Sequence, residues 1–362
     1  PMVLTEETKQ MMATMMAGLA ASGSSSMAMN MSETGMQLAQ GVKVDVEYDA
    51  TIARILSADC CPEANPAFTA QGLIDELARD GVVGGVLIGG AAFGTHANTD
   101  VDIAWTRLNN DWVHDTFKDH LDRFAPGISL PLGDIPASVK ELERAAALGL
   151  RPVLLPDVVP AMPYTNPAWE PLWEAASGLG VPLMTHVSTP RAMYPWSAQS
   201  AYAPGQGATT AFALVSLGMA ETVCWFAGGI LERHPDLKVV MTECSAGWLG
   251  WLMNFLDHHW EGRFGNQFLT DQGFAAMGVT EAPPSYYIKR QIACTFMDDP
   301  IAIRNRDFTG LDCLMWGNDY PHHEGVFPFS QESIDKQFAG VPEHEIMHIV
   351  HDNAANVFGI TA

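Results

Sequence analysis

Positively charged side chains are scarce in this chain of 362 residues. Nineteen Lys and Arg stand against 42 Asp and Glu, which gives a formal net charge of −23. A surface with this balance repels the phosphate backbone of nucleic acids and the headgroups of anionic membranes. We therefore predict that neither nucleic acid nor a membrane is a partner, and that the ligand is a small molecule.

Cysteine is also infrequent, and its spacing excludes two common uses of this residue. Cys60 and Cys61 are adjacent, while the other four lie singly in or near apolar runs. This pattern forms neither a disulfide framework nor a Cys-x-x-Cys metal site, and it is typical of buried thiols in a reducing compartment. The start of the chain lacks a basic region leading into an apolar one, so we expect no signal peptide. Together these features predict a cytoplasmic protein.

The most apolar long stretch, Ala208 to Leu231, is long enough to span a bilayer. However, it contains Thr209, Thr210, Glu221 and Thr222, and it lacks flanking basic residues on one side. We therefore interpret it as a long helix packed on a sheet.

The first 66 residues differ from the rest in their methionine content and form a separate predicted segment. Eight methionines crowd residues 11–36, on both sides of a Gly/Ser-rich link at Ser22–Ser26. This composition predicts a Met-rich helical segment followed by a loop. The alternation of Val42, Val44 and Val46 is compatible with an edge strand. Residues 67–362 form the predicted main domain.

From residue 68 onward, short apolar runs alternate with longer amphipathic segments. Runs that are apolar throughout predict strands buried on both faces, and regular alternation with helices predicts a parallel sheet. The seven predicted strands are Val82–Ile88, Gly127–Leu132, Arg151–Leu155, Val181–His186, Lys238–Glu243, Gln291–Phe296 and Asp312–Trp316. The fold class is therefore α/β.

Three polar residues follow three of these strands and decide between an open sheet and a barrel. Seven strands suit an open doubly wound sheet, whereas a (β/α)8 barrel needs one more. His186, Glu243 and Asp319 each lie at or just past the carboxyl end of a different strand. Convergence of strand ends on one site favours the (β/α)8 TIM-like barrel, distorted, with its first strand missing or substituted.

The same three residues are candidates for a metal site. One imidazole and two carboxylates at a common mouth suit a divalent cation that activates water. Each residue also has a structural alternative, because a strand-end histidine can be a packed side chain and a strand-end glutamate can bond a neighbouring loop.

Several segments resemble the amidohydrolase-related family of metal-dependent hydrolases and decarboxylases, which includes enzymes similar to aminocarboxymuconate semialdehyde decarboxylase. The segments are Asn109–Trp112, Glu141–Arg151, Thr185–Val187, Arg233–Lys238 and Trp316–His322, which contains Gly-Asn-Asp-Tyr-Pro-His. The resemblance covers about residues 68–358. It implies a distorted (β/α)8 barrel with a metal at its carboxyl face, with His186 as a ligand and Asp319 as a ligand or the neighbouring acid/base.

The chain departs from the family pattern at two places. The family's first strand carries a His-x-His or related pair, but the first histidine here is His96, in a loop after the first apolar run. The decarboxylases commonly have a histidine where Glu243 stands, so Glu243 favours hydrolysis, with Glu243 itself on the metal.

The sequence therefore predicts a hydrolase that uses metal-activated water on a small aromatic or carboxylated substrate. His186 and Asp319 are the predicted catalytic residues, and His186, Asp319 and Glu243 the metal ligands. Zn²⁺ is expected, with Mn²⁺ as the alternative. Arg191, Tyr194, Trp196 and His322 are the predicted substrate contacts.

Two other functions stay open. One is a metal-dependent decarboxylase of an aromatic or enoic acid, and the other is a metal-free binding barrel. The apolar helices and the Met-rich start favour a homodimer.

Three further groups are expected to be structural. We expect His258 and His259 to be a solvated pair on a helix face and His234 to be a structural residue at a helix end. We expect Cys244 to be a packed thiol.

The missing strand leads to a last expectation. An empty slot in a barrel would leave unpaired backbone groups, each costing about 1–3 kcal/mol when buried. We expect the native protein to have about 10–20 further residues upstream, a strand and its lead-in carrying His or Glu ligands. The alternative is that Val42–Val46 fills the slot.

Overall fold

The computed structural model describes residues 69–88, 99–156, 162–186, 208–261, 280–321 and 325–362, with side chains from Ser216 onward in the helix that begins at Ala208. The predicted segment 1–66, including Val42–Val46, lies outside these residues. The division of the chain at residue 66 therefore stays a prediction.

Seven short strands and the helices between them make up the described part. The strands are β1 (Gly85–Leu87), β2 (Phe124–Pro126), β3 (Val153–Pro156), β4 (Leu183–His186), β5 (Val239–Met241), β6 (Ile292–Phe296) and β7 (Leu314–Trp316). The helices are α1 (Ala70–Arg79), α2 (Thr99–Phe117), α3 (Ile135–Ala147), α4 (Glu170–Leu179), α5 (Ala208–Trp225), α6 (Gly247–Trp260), α7 (Pro284–Gln291), α8 (Pro300–Arg304), α9 (Arg306–Thr309), α10 (Ser330–Gln337), α11 (Glu343–Met347) and α12 (Asn353–Phe358). A π-helical turn at Phe226–Ile230 and a helical turn at Leu231–Arg233 extend α5.

Helix ends follow local chemistry that the sequence carries. Asp134 precedes α3, and its side chain accepts a hydrogen bond from the Ala137 amide at 2.9 Å, which satisfies one of the free N–H groups of the first turn. Gly180 ends α4 in the left-handed conformation, with φ of 61°, which glycine adopts without steric cost.

All strand pairs are parallel, and neighbours follow in chain order. β1 pairs with β2, and β3 to β7 form a continuous sheet. A single bridge from Ile128 to Val153, together with a 2.9 Å hydrogen bond from the Arg151 amide to the Pro126 carbonyl, makes β2 and β3 neighbours as well. The predicted parallel order of seven strands is confirmed.

Side chains on the inner face of the strands form one small apolar cluster. Each strand contributes one residue, and Phe358 of α12 packs among them. The strand residues are Val86, Ala125, Leu154, Met184, Val240, Ala293 and Met315. Alternate residues, such as Leu183, Val239 and Met241, belong to a larger cluster between the strands and the helices. Since all seven strands converge on one inner cluster, they curve around a common axis, as in a barrel.

The second strand begins earlier than the sequence predicts. The apolar residues Ile128, Leu130 and Leu132 suggest a strand at Gly127–Leu132, yet the ladder lies at Phe124–Pro126. These three side chains are nevertheless buried. The apolar pattern therefore arises because the segment after β2 is buried. Such a pattern alone does not show which residues form the strand pairing.

The most apolar stretch forms helix α5 and its extension. Its buried residues Met219, Val223 and Phe226 belong to the cluster outside the strands, as expected for a helix packed on a sheet. In the part of the chain that the structure describes, no helix combines the length and the apolar character needed to cross a membrane.

A clasp joins the turn before β1 to the loop after β7. The buried Asp80 carboxylate accepts hydrogen bonds from the Ser330 amide, at 2.9 Å, and from the Ser330 hydroxyl. The Asn318 side-chain amide lies 3.4 Å from the same carboxylate. Across the residues described, β1 and β7 share no backbone pairing, so this clasp connects the two ends of the strand order.

Helix α2 is tied to α3 by a buried polar network. The Asn110 side chain donates to the Ser129 carbonyl at 2.9 Å and to Glu141 at 2.7 Å, and it accepts from the Ser129 amide at 2.8 Å. Arg144 donates to both oxygens of Glu141 and, at 2.6 Å, to Asp111. These are residues of two of the family-like segments, and their role here is to hold helices together.

A second ion pair fixes the start of α4 against the end of the α5 extension. Glu170 accepts two hydrogen bonds from Arg233, at 2.9 and 3.0 Å, and lies 2.9 Å from His234 Nε2. The hydrogen bonds from Arg233 lower the pKa of Glu170 to about 2. His234 therefore has the structural role that the sequence predicts.

We predict that Asn110→Ala lowers the free energy of unfolding by about 3 kcal/mol, because it leaves buried groups of Ser129 and Glu141 without their partner. Urea unfolding measures this value. Asn109→Ala is the matched control, since it removes a single hydrogen bond to the Ser129 hydroxyl and should cost about 1 kcal/mol. Equal losses in the two variants would contradict the network.

We also predict a pH-dependent effect of Glu170→Gln. Since folding lowers the pKa of Glu170, its contribution is complete above the unfolded value near 4.5 and disappears as pH falls toward 2. Because the side chain is 37% exposed, we expect a contribution of about 1 kcal/mol or less at pH 7. Urea unfolding of both proteins should show a difference that vanishes between about pH 4.5 and 2. Glu174→Gln, at an exposed position of α4, should show no such trend.

Candidate active site

The predicted site residues lie at the carboxyl end of the strands. His186 is the last residue of β4, Glu243 follows β5 by two residues, and Asp319 follows β7 by three. His186 Nε2 and Glu243 Oε2 are 2.8 Å apart, and their side chains are only 14% and 8% exposed. An imidazole and a carboxylate therefore meet in a nearly buried pair at the mouth of the barrel.

The backbone at Glu243 is what makes this contact possible. Met241 packs outside the strands and Val240 inside, so regular alternation would direct the Glu243 side chain outward. His186 shares the inner face with Met184. Glu243 instead adopts φ of 57°, which ends the extended backbone and turns its carboxylate toward His186.

Among the described residues other than glycine, left-handed backbone occurs only in the two loops that carry the carboxylates. The only described non-glycine residues with positive φ are Glu243, Ser245 and Asp319, with φ of 56–58°. This conformation costs about 1–3 kcal/mol per residue and persists where the surroundings enforce it. Such strain clusters at functional sites, which supports the assignment of this end of the barrel as the active site.

Hydrogen bonds from three directions hold the strained loop after β5. The Glu243 amide donates to the Thr295 hydroxyl at 2.9 Å. The Cys244 carbonyl accepts from the Ser216 hydroxyl and from Trp248 Nε1, both at 2.8 Å. These bonds, from β6, α5 and α6, offset the cost of the left-handed residues.

Asp299 provides the strongest of these supports, and the sequence reasoning missed it. One of its oxygens accepts from the Ala246 and Gly247 amides, both at 2.8 Å, and the other accepts from the Ala302 amide at 2.9 Å. This buried carboxylate thus caps α8 and also the start of α6. The Asp299-Pro300 pair predicts the first of these roles from sequence, whereas the second depends on the fold.

The His186–Glu243 pair fits two neighbouring positions of a metal coordination shell. Ions with bonds of about 2.0–2.2 Å hold adjacent ligand atoms about 3 Å apart, close to the observed 2.8 Å. Among the described residues, no three His, Cys, Asp or Glu side chains form a group that could hold a metal. The assignment of His186, Glu243 and Asp319 as three ligands therefore stays a prediction.

The predicted substrate contacts Arg191, Tyr194, Trp196 and His322 lie outside the described residues. Two structural expectations are met. His258 and His259 lie exposed on α6, and the Cys244 thiol is buried.

We predict that Asp299→Ala lowers the free energy of unfolding by about 3–5 kcal/mol, because three amides, in two buried hydrogen bonds and one partly buried, lose a charged acceptor. Asp299→Asn should cost less, since its carbonyl oxygen still accepts hydrogen bonds. Asp298→Ala, at the exposed neighbouring position, is the control and should stay within about 0.5 kcal/mol of the wild type. Urea unfolding of the three variants tests this order.

Comparison with solved structures supports the barrel. A 5-carboxyvanillate decarboxylase from Novosphingobium aromaticivorans, solved with bound manganese, matches with a TM-score of 0.70 and 16% identity over 92% of each chain. A 2,6-dihydroxybenzoate decarboxylase from Rhizobium matches with a TM-score of 0.63 and 20% identity, over 79% of this chain and 87% of the other.

An amidohydrolase from Mycobacterium avium subsp. paratuberculosis matches with a TM-score of 0.67 and 19% identity, over 82% of this chain and 76% of the other. At these identities the matches show the shared fold, the distorted TIM-like barrel that the sequence predicts. The family model described as amidohydrolase matches residues 77–360. The chain therefore belongs to the amidohydrolase family.

Proposed function

We propose that this chain is a metal-dependent decarboxylase of a small hydroxylated aromatic acid. The observation that carries the proposal is the His186–Glu243 pair, held at the carboxyl face of the barrel by a strained residue. Solved structures of the same fold, which include decarboxylases of 5-carboxyvanillate and 2,6-dihydroxybenzoate, support the choice of reaction.

Decarboxylation needs a carboxylate held in place and a proton delivered to carbon. The bond between the ring and the carboxyl carbon breaks, its electron pair stays on the ring carbon, and that carbon takes a proton as carbon dioxide leaves. No water is consumed. The site must therefore supply an anchor for the substrate oxygens and an acid next to the ring.

We assign the anchor to His186 and Glu243 and the acid to Asp319. His186 and Glu243 lie at a separation that suits two metal ligands. Asp319 follows β7 by three residues at the same end of the barrel, and we assign it to proton transfer. A bound divalent metal would polarise the substrate's oxygens.

We propose Mn²⁺ rather than the Zn²⁺ that the sequence suggested. Carboxylate and water oxygens suit Mn²⁺, and imidazole binds either ion. Two of the similar decarboxylase structures contain manganese. Arg191, Tyr194, Trp196 and His322 remain our proposed contacts for the carboxylate and the ring.

Hydrolysis, the first interpretation of the sequence, becomes the second candidate. It depended on Glu243 as a departure from the decarboxylases. In the structure the Glu243 carboxylate contacts His186. We therefore propose that Glu243 serves as a metal ligand in place of the histidine that the decarboxylases commonly have at this position. Hydrolysis is still favoured by the amidohydrolase matches.

We also propose a homodimer. Trp251 and Phe255, both on α6, stack on each other, and their side chains are 59% and 45% exposed. Leu217 of α5 is exposed as well. Exposed apolar groups on adjoining helices are typical of an association surface.

Purified protein supplied with Mn²⁺ should release carbon dioxide from 2,6-dihydroxybenzoate or 5-carboxyvanillate. In D₂O the product should carry one deuterium on the ring carbon that lost the carboxyl group. His186→Ala and Glu243→Gln should each lower kcat/KM by about 100-fold or more, whereas His259→Ala, on the exposed face of α6, should leave it unchanged.

Two outcomes would reject this proposal. Incorporation of ¹⁸O from labelled water without release of carbon dioxide would establish hydrolysis. Less than about a tenth of an equivalent of metal after supplementation, with no turnover, would favour a metal-free binding barrel.

A further inference from the structure

Thr242 carries a buried hydroxyl that the fold does not use. Its side chain is 7% exposed, and its oxygen has no hydrogen-bond partner among the residues that the structure describes. It lies next to Glu243 in the chain. An unsatisfied polar atom therefore lies at the proposed active site.

The backbone places Thr242 on the inner face of the barrel. The Thr242 amide donates to the Thr185 carbonyl at 2.9 Å, so parallel pairing continues one residue past β5. Val240, two residues earlier, is inside, and Met241 is outside. The register then sets Thr242 beside His186 on one side and Thr295 on the other.

The polar groups of the two neighbours of Thr242 are already in use. His186 contacts Glu243, and the Thr295 hydroxyl accepts from the Glu243 amide. The layer below, around Val240 and Met184, is apolar. A buried hydroxyl without a partner destabilises the fold, and valine, which has nearly the same shape, would avoid this loss.

We infer that the Thr242 hydroxyl donates a hydrogen bond to an oxygen of the bound aromatic acid and contributes to substrate selection. This inference rests on the proposed function. A hydroxyl that finds its acceptor only when substrate is bound accounts for a polar side chain in this layer. A site built to bond a substrate oxygen discriminates against analogues that lack it.

The test compares binding and stability in matched variants. Affinity for 2,6-dihydroxybenzoate is measured by titration calorimetry with Mn²⁺ present, and Tm is measured without ligand. Thr242→Val should weaken binding by about 10-fold while its Tm is equal to or above that of the wild type. Thr242→Ser, which keeps the hydroxyl, should bind within about 3-fold of the wild type.

Thr185→Val is the control on the opposite face of β4. The Thr185 hydroxyl is buried and contacts Met241 Sδ at 3.0 Å and the Val240 carbonyl at 3.5 Å. Its loss should therefore lower Tm and leave affinity unchanged. The two threonine-to-valine changes are thus expected to have opposite signatures.

The outcomes separate this inference from the proposed function. If the wild type binds or converts 2,6-dihydroxybenzoate and Thr242→Val binds it equally well, the inference alone is wrong. A lower Tm for Thr242→Val, comparable to that of Thr185→Val, would show that the hydroxyl has a structural partner and would also reject it. If the wild type neither binds nor decarboxylates this acid or 5-carboxyvanillate, the proposed function is wrong and the inference falls with it.

Discussion

The contact between His186 and Glu243 is the constraint on which the site depends. It brings a residue after β5 to the inner face of the barrel, against the alternation that the strand would impose. The chain achieves this by a left-handed residue. The cost is offset by hydrogen bonds that loop amides donate to Thr295 and Asp299 and by one that Ser216 donates to a loop carbonyl. Stability and function are therefore coupled here, because supports that appear structural determine where the carboxylate lies.

Sequence reasoning was most successful where burial repeats along the chain. The apolar runs located six of the seven parallel strands and placed the second a few residues late, and the polar residues chosen as site candidates lie at the carboxyl ends of strands. It could not show that Glu243 faces inward, because the sign of φ at one residue leaves no periodic signal. Asp299 and Thr242 were missed for a related reason: an ordinary helix cap and a threonine in an apolar run acquire significance only from neighbours distant in sequence.

The family-like segments contribute in different ways to the molecule. Asn110, Glu141 and Arg144 form a buried network between two helices, far along the chain from the strand ends that carry the site. Asn318, within the Gly-Asn-Asp-Tyr-Pro-His signature, reaches Asp80 in the clasp, while the next residue, Asp319, is strained. Within two consecutive residues, the signature therefore contains one that stabilises the barrel, Asn318, and one that we assign to catalysis, Asp319.

Phe358 has a consequence for how the chain acquires its structure. It completes the apolar cluster inside the strands, and the amides of Thr361 and Ala362 donate to the Asp122 carbonyl just before β2. The floor of the barrel is thus closed by residues more than 200 positions after the strand they meet. During vectorial synthesis on the ribosome, the inner faces of the early strands stay exposed until α12 has been synthesised and covers them. Nascent chains that stop short of this helix should depend on chaperones.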